Sequence, residues 1–219
     1  MPANLSARLL ARSPASRDRV RTLRRDLSFV WALRRLPWPV AIFQWRAWRL
    51  GGKLGDEFGR VSATRPRKLA TILKLAGSGR FVVELGTAQG WTAISLALAH
   101  PEREVITYDP FPRPEPQRYL ELVPEQVRRR VTLVLERGDS GPRTDRPVDL
   151  LYVDTTHEQA DTIRELEAWR PVLRDGAWVA LDDYVHPDFP GVKAAISEMQ
   201  LDGEERDGLF VHRVSHPVR

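Results

Sequence analysis

Acidic residues that close apolar runs are the chemistry-bearing feature of this chain. Phe81 to Trp91 reads FVVELGTAQGW: three apolar residues lead into Glu84, Gly86 and Gly90 frame a short turn, and a small-residue helical pattern follows. A strand handing over to a helix in this way presents unpaired backbone N–H groups and a positive dipole end, and the glycines let a ligand approach. Dinucleotide-binding turns carry G-x-G-x-x-G. Here the spacing is Glu-x-Gly-x-x-x-Gly, with Glu84 where the first glycine would stand. A carboxylate at that point argues against a pyrophosphate and for a cationic or hydroxyl-rich partner.

Four further apolar runs end in, or lead to, acids: EVITYD in Asp109, VTLVL before Arg137-Gly138-Asp139-Ser140, VDLLYVD in Asp154, and AWVALDD in Asp182-Asp183. Open α/β sheets bind ligands beyond the carboxyl ends of their strands, so all these acids belong to one edge. Asp109 follows the glycine turn by about twenty residues, the separation at which a carboxylate accepts ribose hydroxyls. Ends of adjacent parallel strands lie about 5 Å apart, so Asp154, Asp182 and Asp183 should converge. Their repulsion calls for a bound cation or a protonated member, and an oxygen-only ligand set selects a hard ion such as Mg²⁺. His157, three residues past Asp154, is the candidate general base, since an imidazole titrates near neutrality.

The elements that must position these residues alternate. Strands are expected at Phe81–Leu85, Glu104–Asp109, Val131–Leu135, Val148–Asp154 and Ala177–Asp183, with helices at Trp91–His100, Gln117–Arg129, Glu158–Trp169 and Val192–Met199. Near-continuous apolar strands separated by helices mean a mostly parallel sheet covered on both faces. Gly208–Val214 reads as a closing strand, and a faint sixth strand is expected between Met199 and Glu205. A helix from Thr64 to Ala76 precedes the first strand.

Residues 1–60 form a basic, Trp/Arg-rich helical extension to a domain over 61–219. The extension holds thirteen Lys/Arg against four Asp/Glu, and the remainder twenty-one against twenty-five. The basic balance therefore belongs to the extension and gives no warrant for nucleic-acid binding. Residues 1–17 read as a loose tail. Val20, Leu23, Leu27, Val30 and Trp31 mark an amphipathic helix with a cationic face, ended by Pro37 and Pro39, and a second helix is expected over Val40–Leu50 with its stop at Gly51-Gly52. Two readings of residues 19–50 stand side by side. One is peripheral docking on an anionic membrane or a partner. The other is a helical cap on the domain or a homodimer contact. The Arg-rich start also has the composition of a transit peptide, and equally that of a GC-rich bacterial genome. No apolar run approaches a membrane span, and the absence of cysteine suits a reducing interior, so the expected location is cytoplasmic. A nicotinamide-dependent oxidoreductase would share Asp109 but lacks both the three-glycine turn and a hydride-transfer apparatus.

The FVVELGTAQGW stretch resembles motif I of the class I S-adenosylmethionine-dependent methyltransferases. Asp154-Thr155-Thr156-His157, Trp169-Arg170-Pro171-Val172-Leu173-Arg174-Asp175-Gly176, and Asp182-Asp183-Tyr184 ahead of Pro190-Gly191-Val192-Lys193 are similar to the bacterial small-molecule group called methyltransferase type 24. The resemblance spans roughly residues 62 to 214. It implies a Rossmann-like α/β fold with a seven-stranded sheet and an antiparallel closing strand. It also implies S-adenosylmethionine held by Glu84, Gly86, Thr87, Ala88, Gly90 and Asp109, with Asp139 and Ser140 at the adenine edge. The catechol-type and macrolide-sugar-type members are metal-dependent O-methyltransferases. By that likeness Asp154, Asp182 and Asp183 would hold Mg²⁺, and Asp154 and His157 would be catalytic toward a hydroxyl of a small-molecule acceptor. The group commonly has Asp-Gly-Asp-His or Asp-Gly-Asn-His where this chain has Thr155 and Thr156, so a ligand drawn from the middle of that tetrapeptide is missing here.

Overall fold

The computed structural model describes residues 28–215. The expected tail, the transit-like start and the first part of the cationic helix lie outside them. Seven strands form one sheet in the order β3-β2-β1-β4-β5-β7-β6: β1 Phe81–Leu85, β2 Glu104–Tyr108, β3 Val131–Val134, β4 Val148–Val153, β5 Leu173–Leu181, β6 Glu204–Arg206 and β7 Leu209–Arg213. β1 to β5 run parallel, and β7 pairs antiparallel with both β5 and β6. This is the Rossmann-like α/β arrangement expected, closing strand included.

Side chains alternate between two covered faces, as the pleat requires. Val82, Val105, Leu150, Tyr152 and Ala180 join one apolar cluster. Val83, Leu85, Leu151, Val153, Val179 and Leu181 join the other. The first cluster is roofed by α1 Trp38–Leu54, α3 Pro66–Ala76 and α4 Trp91–Leu98, with the short α2 Glu57–Ser62 between α1 and α3. The second lies under α7 Gln159–Trp169 and α8 Pro190–Glu198.

Three expected elements change. The helix over Gln117–Arg129 is two short ones, α5 Glu115–Leu120 and α6 Glu125–Arg128, because Pro124 lacks an N–H and its ring clashes with the preceding turn. α1 begins at Trp38, takes Pro39 into its first turn and passes through Gly51-Gly52 to a left-handed cap at Gly55, φ 67°. Gly51 is there for close approach: a Cβ would lie 3.1 Å from the Tyr119 hydroxyl and 3.2 Å from Arg60 Cγ. The faint sixth strand is only Glu204–Arg206, an exposed edge.

The extension is built into this fold. Phe43, Ala47 and Trp48 of α1 are buried in the same cluster as Leu69, Ile72 and Leu96, and Gln44 Nε2 donates to Ser95 Oγ at 2.9 Å inside it. Trp31, Trp38 and Trp45 instead face outward, Trp38 with 76% of its surface exposed. No helix among the described residues is long and apolar enough to cross a membrane.

Candidate active site

Register brings the strand ends into line. Leu85 pairs with Tyr108 and with Val153, and Val153 with Leu181. The ladder then continues by one residue: Gly86 N donates to Tyr108 O, Asp154 N to Leu85 O and Asp182 N to Val153 O, each at 2.8 Å, and Asp109 N to Val134 O at 3.0 Å. Gly86, Asp109, Asp154 and Asp182 therefore stand side by side on one edge.

Glu84, the penultimate residue of β1, is buried. Thr107 donates to its Oε2 at 2.6 Å, and the Thr87 and Thr107 hydroxyls are 2.7 Å apart. Because Thr107 spends its proton on Glu84, Thr87 must be the donor in the second bond. Burial pushes the Glu84 carboxyl up to about 8, against the Thr107 hydrogen bond and with the Asp154 and Asp109 charges adding to it. The glycine turn is shaped from below. Gly86 has φ 100°, and a Cβ there would stand 1.8 Å from the Asp154 carbonyl oxygen, so this glycine admits the β4 backbone. Gly90, φ 76°, caps α4. Asp109 holds the turn by accepting from Ala88 N at 3.0 Å, and its other oxygen accepts from Phe111 N at 2.9 Å.

Two cavities flank the turn. One of about 350 Å³ lies between Asp109, Thr87 and Ala88 on one side and Phe111, Leu133 and Leu135 on the other; a carboxylate beside an apolar slot suits a ribose with a flat base. A smaller one is lined by Glu84, Gly86, Gln89, Thr64 and Asp154. Asp139 and Ser140 line neither. Asp139 is bonded to Arg137 at 2.9 Å and to Arg164, on α7, at 3.2 Å.

The β4 and β5 tips carry the second group. His157 Nε2 lies 3.6 Å from Asp154 Oδ1 and 3.5 Å from Asp183 Oδ2, its ring 4.5 Å from that of Phe189. Burial lowers the His157 pKa, with Asp183 and Asp182 opposing, so the imidazole is neutral at neutral pH. Burial raises the Asp154 carboxyl well above the carboxylate range, and Asp182 adds to it.

The expected Mg²⁺ set is not assembled. Among the described residues no three His, Asp or Glu side chains are grouped to hold a metal ion. The physical reason is Lys68, from the first turn of α3. Its Nζ is hydrogen-bonded to Asp182 Oδ1 and lies 3.4 Å from Asp183 Oδ1. Asp183 N also donates to Asp182 Oδ1, and Tyr152 donates to Asp182 Oδ2. Both Asp182 oxygens are thus taken, and an ammonium occupies the position of a cation; these residues do not fit a divalent ion.

Sequence reasoning passed over three contributors. Lys68 falls within the helix expected over Thr64–Ala76. Its signal is composition: the chain has four lysines against thirty arginines, and this one falls one turn before Ile72 on the apolar stripe. Tyr152 lies within the strand expected over Val148–Asp154. Asp56, the N-cap of α2, accepts from Gly59 N at 2.8 Å, Gln89 Nε2 at 2.9 Å and the Tyr119 hydroxyl at 2.6 Å, tying the extension to the glycine turn.

The sheet order, with its antiparallel closing strand, is that of the class I methyltransferase fold. A family model described as a methyltransferase domain matches residues 83–184, the stretch that contains every tip described above, and the chain carries that domain. No curated protein sequence matches it. Solved structures share the fold. The O-methyltransferase TomG from Streptomyces achromogenes, involved in tomaymycin synthesis and solved with S-adenosylmethionine, is 21% identical with a TM-score of 0.59, over 78% of this chain and 90% of its own. CalS11, a TDP-rhamnose 3'-O-methyltransferase of calicheamicin biosynthesis, is 19% identical with a TM-score of 0.57, over 96% and 99%. A methyltransferase from Geobacter sulfurreducens is 17% identical with a TM-score of 0.59, over 77% and 90%.

Proposed function

We propose that the protein moves the methyl group of S-adenosylmethionine to a hydroxyl of a small-molecule acceptor, with His157 as general base. The observation that carries this reading is that Asp154 lines the cavity of Glu84 and Gly86 while lying 3.6 Å from His157 Nε2. A methyl donor and a proton acceptor would meet there. The names of TomG and CalS11, both O-methyltransferases, support a hydroxyl acceptor.

In this mechanism Glu84 faces the methionine ammonium and Asp109 the ribose hydroxyls. The acceptor oxygen attacks the methyl carbon in line with the sulfonium, the C–S bond breaks, and S-adenosylhomocysteine leaves as a neutral thioether. The hydroxyl proton passes to His157 Nε2, where the Asp154 and Asp183 carboxyls face the new imidazolium. Most of the acceleration is proximity and orientation, with proton removal contributing about 10² to 10⁴ in rate. Mg²⁺, expected from the three carboxylates, has no step here.

Calorimetric titration with S-adenosylhomocysteine tests the donor half. Binding is expected, weakened at least about tenfold by Asp109→Ala, a loss of about 1.4 kcal/mol. Absence of binding, or indifference to the substitution, sinks it. The acceptor half is tested by which small molecule gains a labelled methyl when protein and donor are supplied.

A further inference from the structure

We infer that the Lys68 ammonium is a built-in cation that takes the place of a divalent ion in this methyltransferase, and that the acceptor is consequently engaged through a single hydroxyl rather than chelated through two.

The three carboxylates at the β4 and β5 tips are each already committed. Asp182 accepts from Lys68 and Asp183 N on one oxygen and from Tyr152 on the other. Asp183 divides its oxygens between Lys68, at 3.4 Å, and His157, at 3.5 Å. Asp154 Oδ2 lies 3.1 Å from the Tyr152 hydroxyl, whose one proton goes to Asp182, and Asp154 Oδ1 faces His157. A hard divalent ion needs six or more oxygens at close range, and seating one here means expelling the ammonium.

That expulsion is costly. The Lys68 and Asp182 side chains keep only 17% and 5% of their surfaces exposed. Separating a buried pair leaves an uncompensated charge. Lys68 also has little freedom, since its Cα sits in the first turn of α3, a helix whose next turns bury Leu69, Ile72 and Leu73.

The consequence for chemistry follows from geometry. Lys68 is a positioning residue: it holds Asp183, and Asp183 faces the His157 nitrogen that receives the proton. A metal that activates a hydroxyl offers several open coordination positions and rewards vicinal oxygens. An ammonium has three N–H donors, and with two of them turned to Asp182 and Asp183 it has one left, enough for a single oxygen and not for a vicinal pair. The single-hydroxyl part of the inference rests on the methyl-transfer reading above; the ion part does not.

Mn²⁺, followed by electron paramagnetic resonance in protein saturated with S-adenosylhomocysteine, is the probe. The wild type is expected to leave millimolar Mn²⁺ as the free aqua ion. Lys68→Met should gain a site, with Mn²⁺ affinity at least about tenfold above wild type, and Lys68→Arg, which keeps the cation, should not. A role confined to packing would not move this signal. Wild-type uptake of Mn²⁺ that Asp182→Asn abolishes overturns the inference, and so does a folded Lys68→Met protein that gains nothing. If Lys68→Met does not fold, the wild-type result decides alone. Titration of the same samples with S-adenosylhomocysteine separates the two claims: wild type that binds it and also takes up Mn²⁺ sinks only the Lys68 inference, whereas wild type that does not bind it sinks the donor reading and leaves the ion result standing.

Discussion

Glu84 is an acid whose surroundings favour its protonated form. With the carboxyl at about 8 in the ligand-free fold and near 4.3 in an unfolded chain, the fold binds more protons than the unfolded state between those values. Stability therefore falls as pH rises through that window. A ligand ammonium beside Glu84 reverses the preference and expels the proton. S-adenosylhomocysteine binding is expected to release protons below about pH 8 and to tighten as pH rises toward that value, as seen by calorimetry in buffers of different ionisation enthalpy; Glu84→Gln should remove both effects. His157 gives a second pH signature. Burial depresses its pKa, so methyl transfer should keep its full rate below the usual imidazole range and lose it only at more acid pH. Initial rates of His157→Gln should fall about 10² to 10⁴-fold.

Strand ends are where element and residue meet, and Gly86 is the joint. Its missing Cβ is occupied by the Asp154 carbonyl, and its φ of 100° is closed to other residues. Gly86→Ala should cost about 2–4 kcal/mol in urea denaturation and weaken S-adenosylhomocysteine binding, because relief comes only by pushing the β4 tip away from β1. The sequence showed these tips because a parallel strand covered on both faces is a near-continuous apolar run, and the first acid after it marks the edge. It could not show what meets the tips from outside the strands. Lys68 stands 114 residues before Asp182 in the chain, with no periodic relation to it; only the docking of α3 over Tyr152 brings its amine to Asp182. The same limit hid the pairing of Asp139 with Arg164, which becomes its neighbour only through α7. Gly51-Gly52 misled for a related reason: a glycine needed for close approach to Tyr119 is spelled like a helix stop.

At the scale of the molecule the Trp/Arg-rich extension has an inner and an outer surface. Inside, Phe43 and Trp48 complete the core above α4, and Asp56 ties α2 to Gln89 in the glycine turn. Outside, Trp38 and Trp45 are exposed, with the Arg49 guanidinium 4.8 Å from the Trp45 ring centroid. The two surfaces predict opposite behaviour. Phe43→Ala should cost about 3–5 kcal/mol in chemical denaturation, and removal of residues 1–54 should abolish cooperative unfolding, because α3 and α4 lose the helix that covers them. Trp38→Ser with Trp45→Ser should leave stability within about 0.5 kcal/mol for each exposed site. This double variant, and not a truncation, is therefore the proper probe of docking on a membrane. Flotation on phosphatidylglycerol vesicles that depends on the extension's outer face should drop in the double variant while S-adenosylhomocysteine binding is retained. Equal flotation of the two proteins would leave the extension with its inner surface alone, as the part of the methyltransferase core that braces the cofactor turn from above.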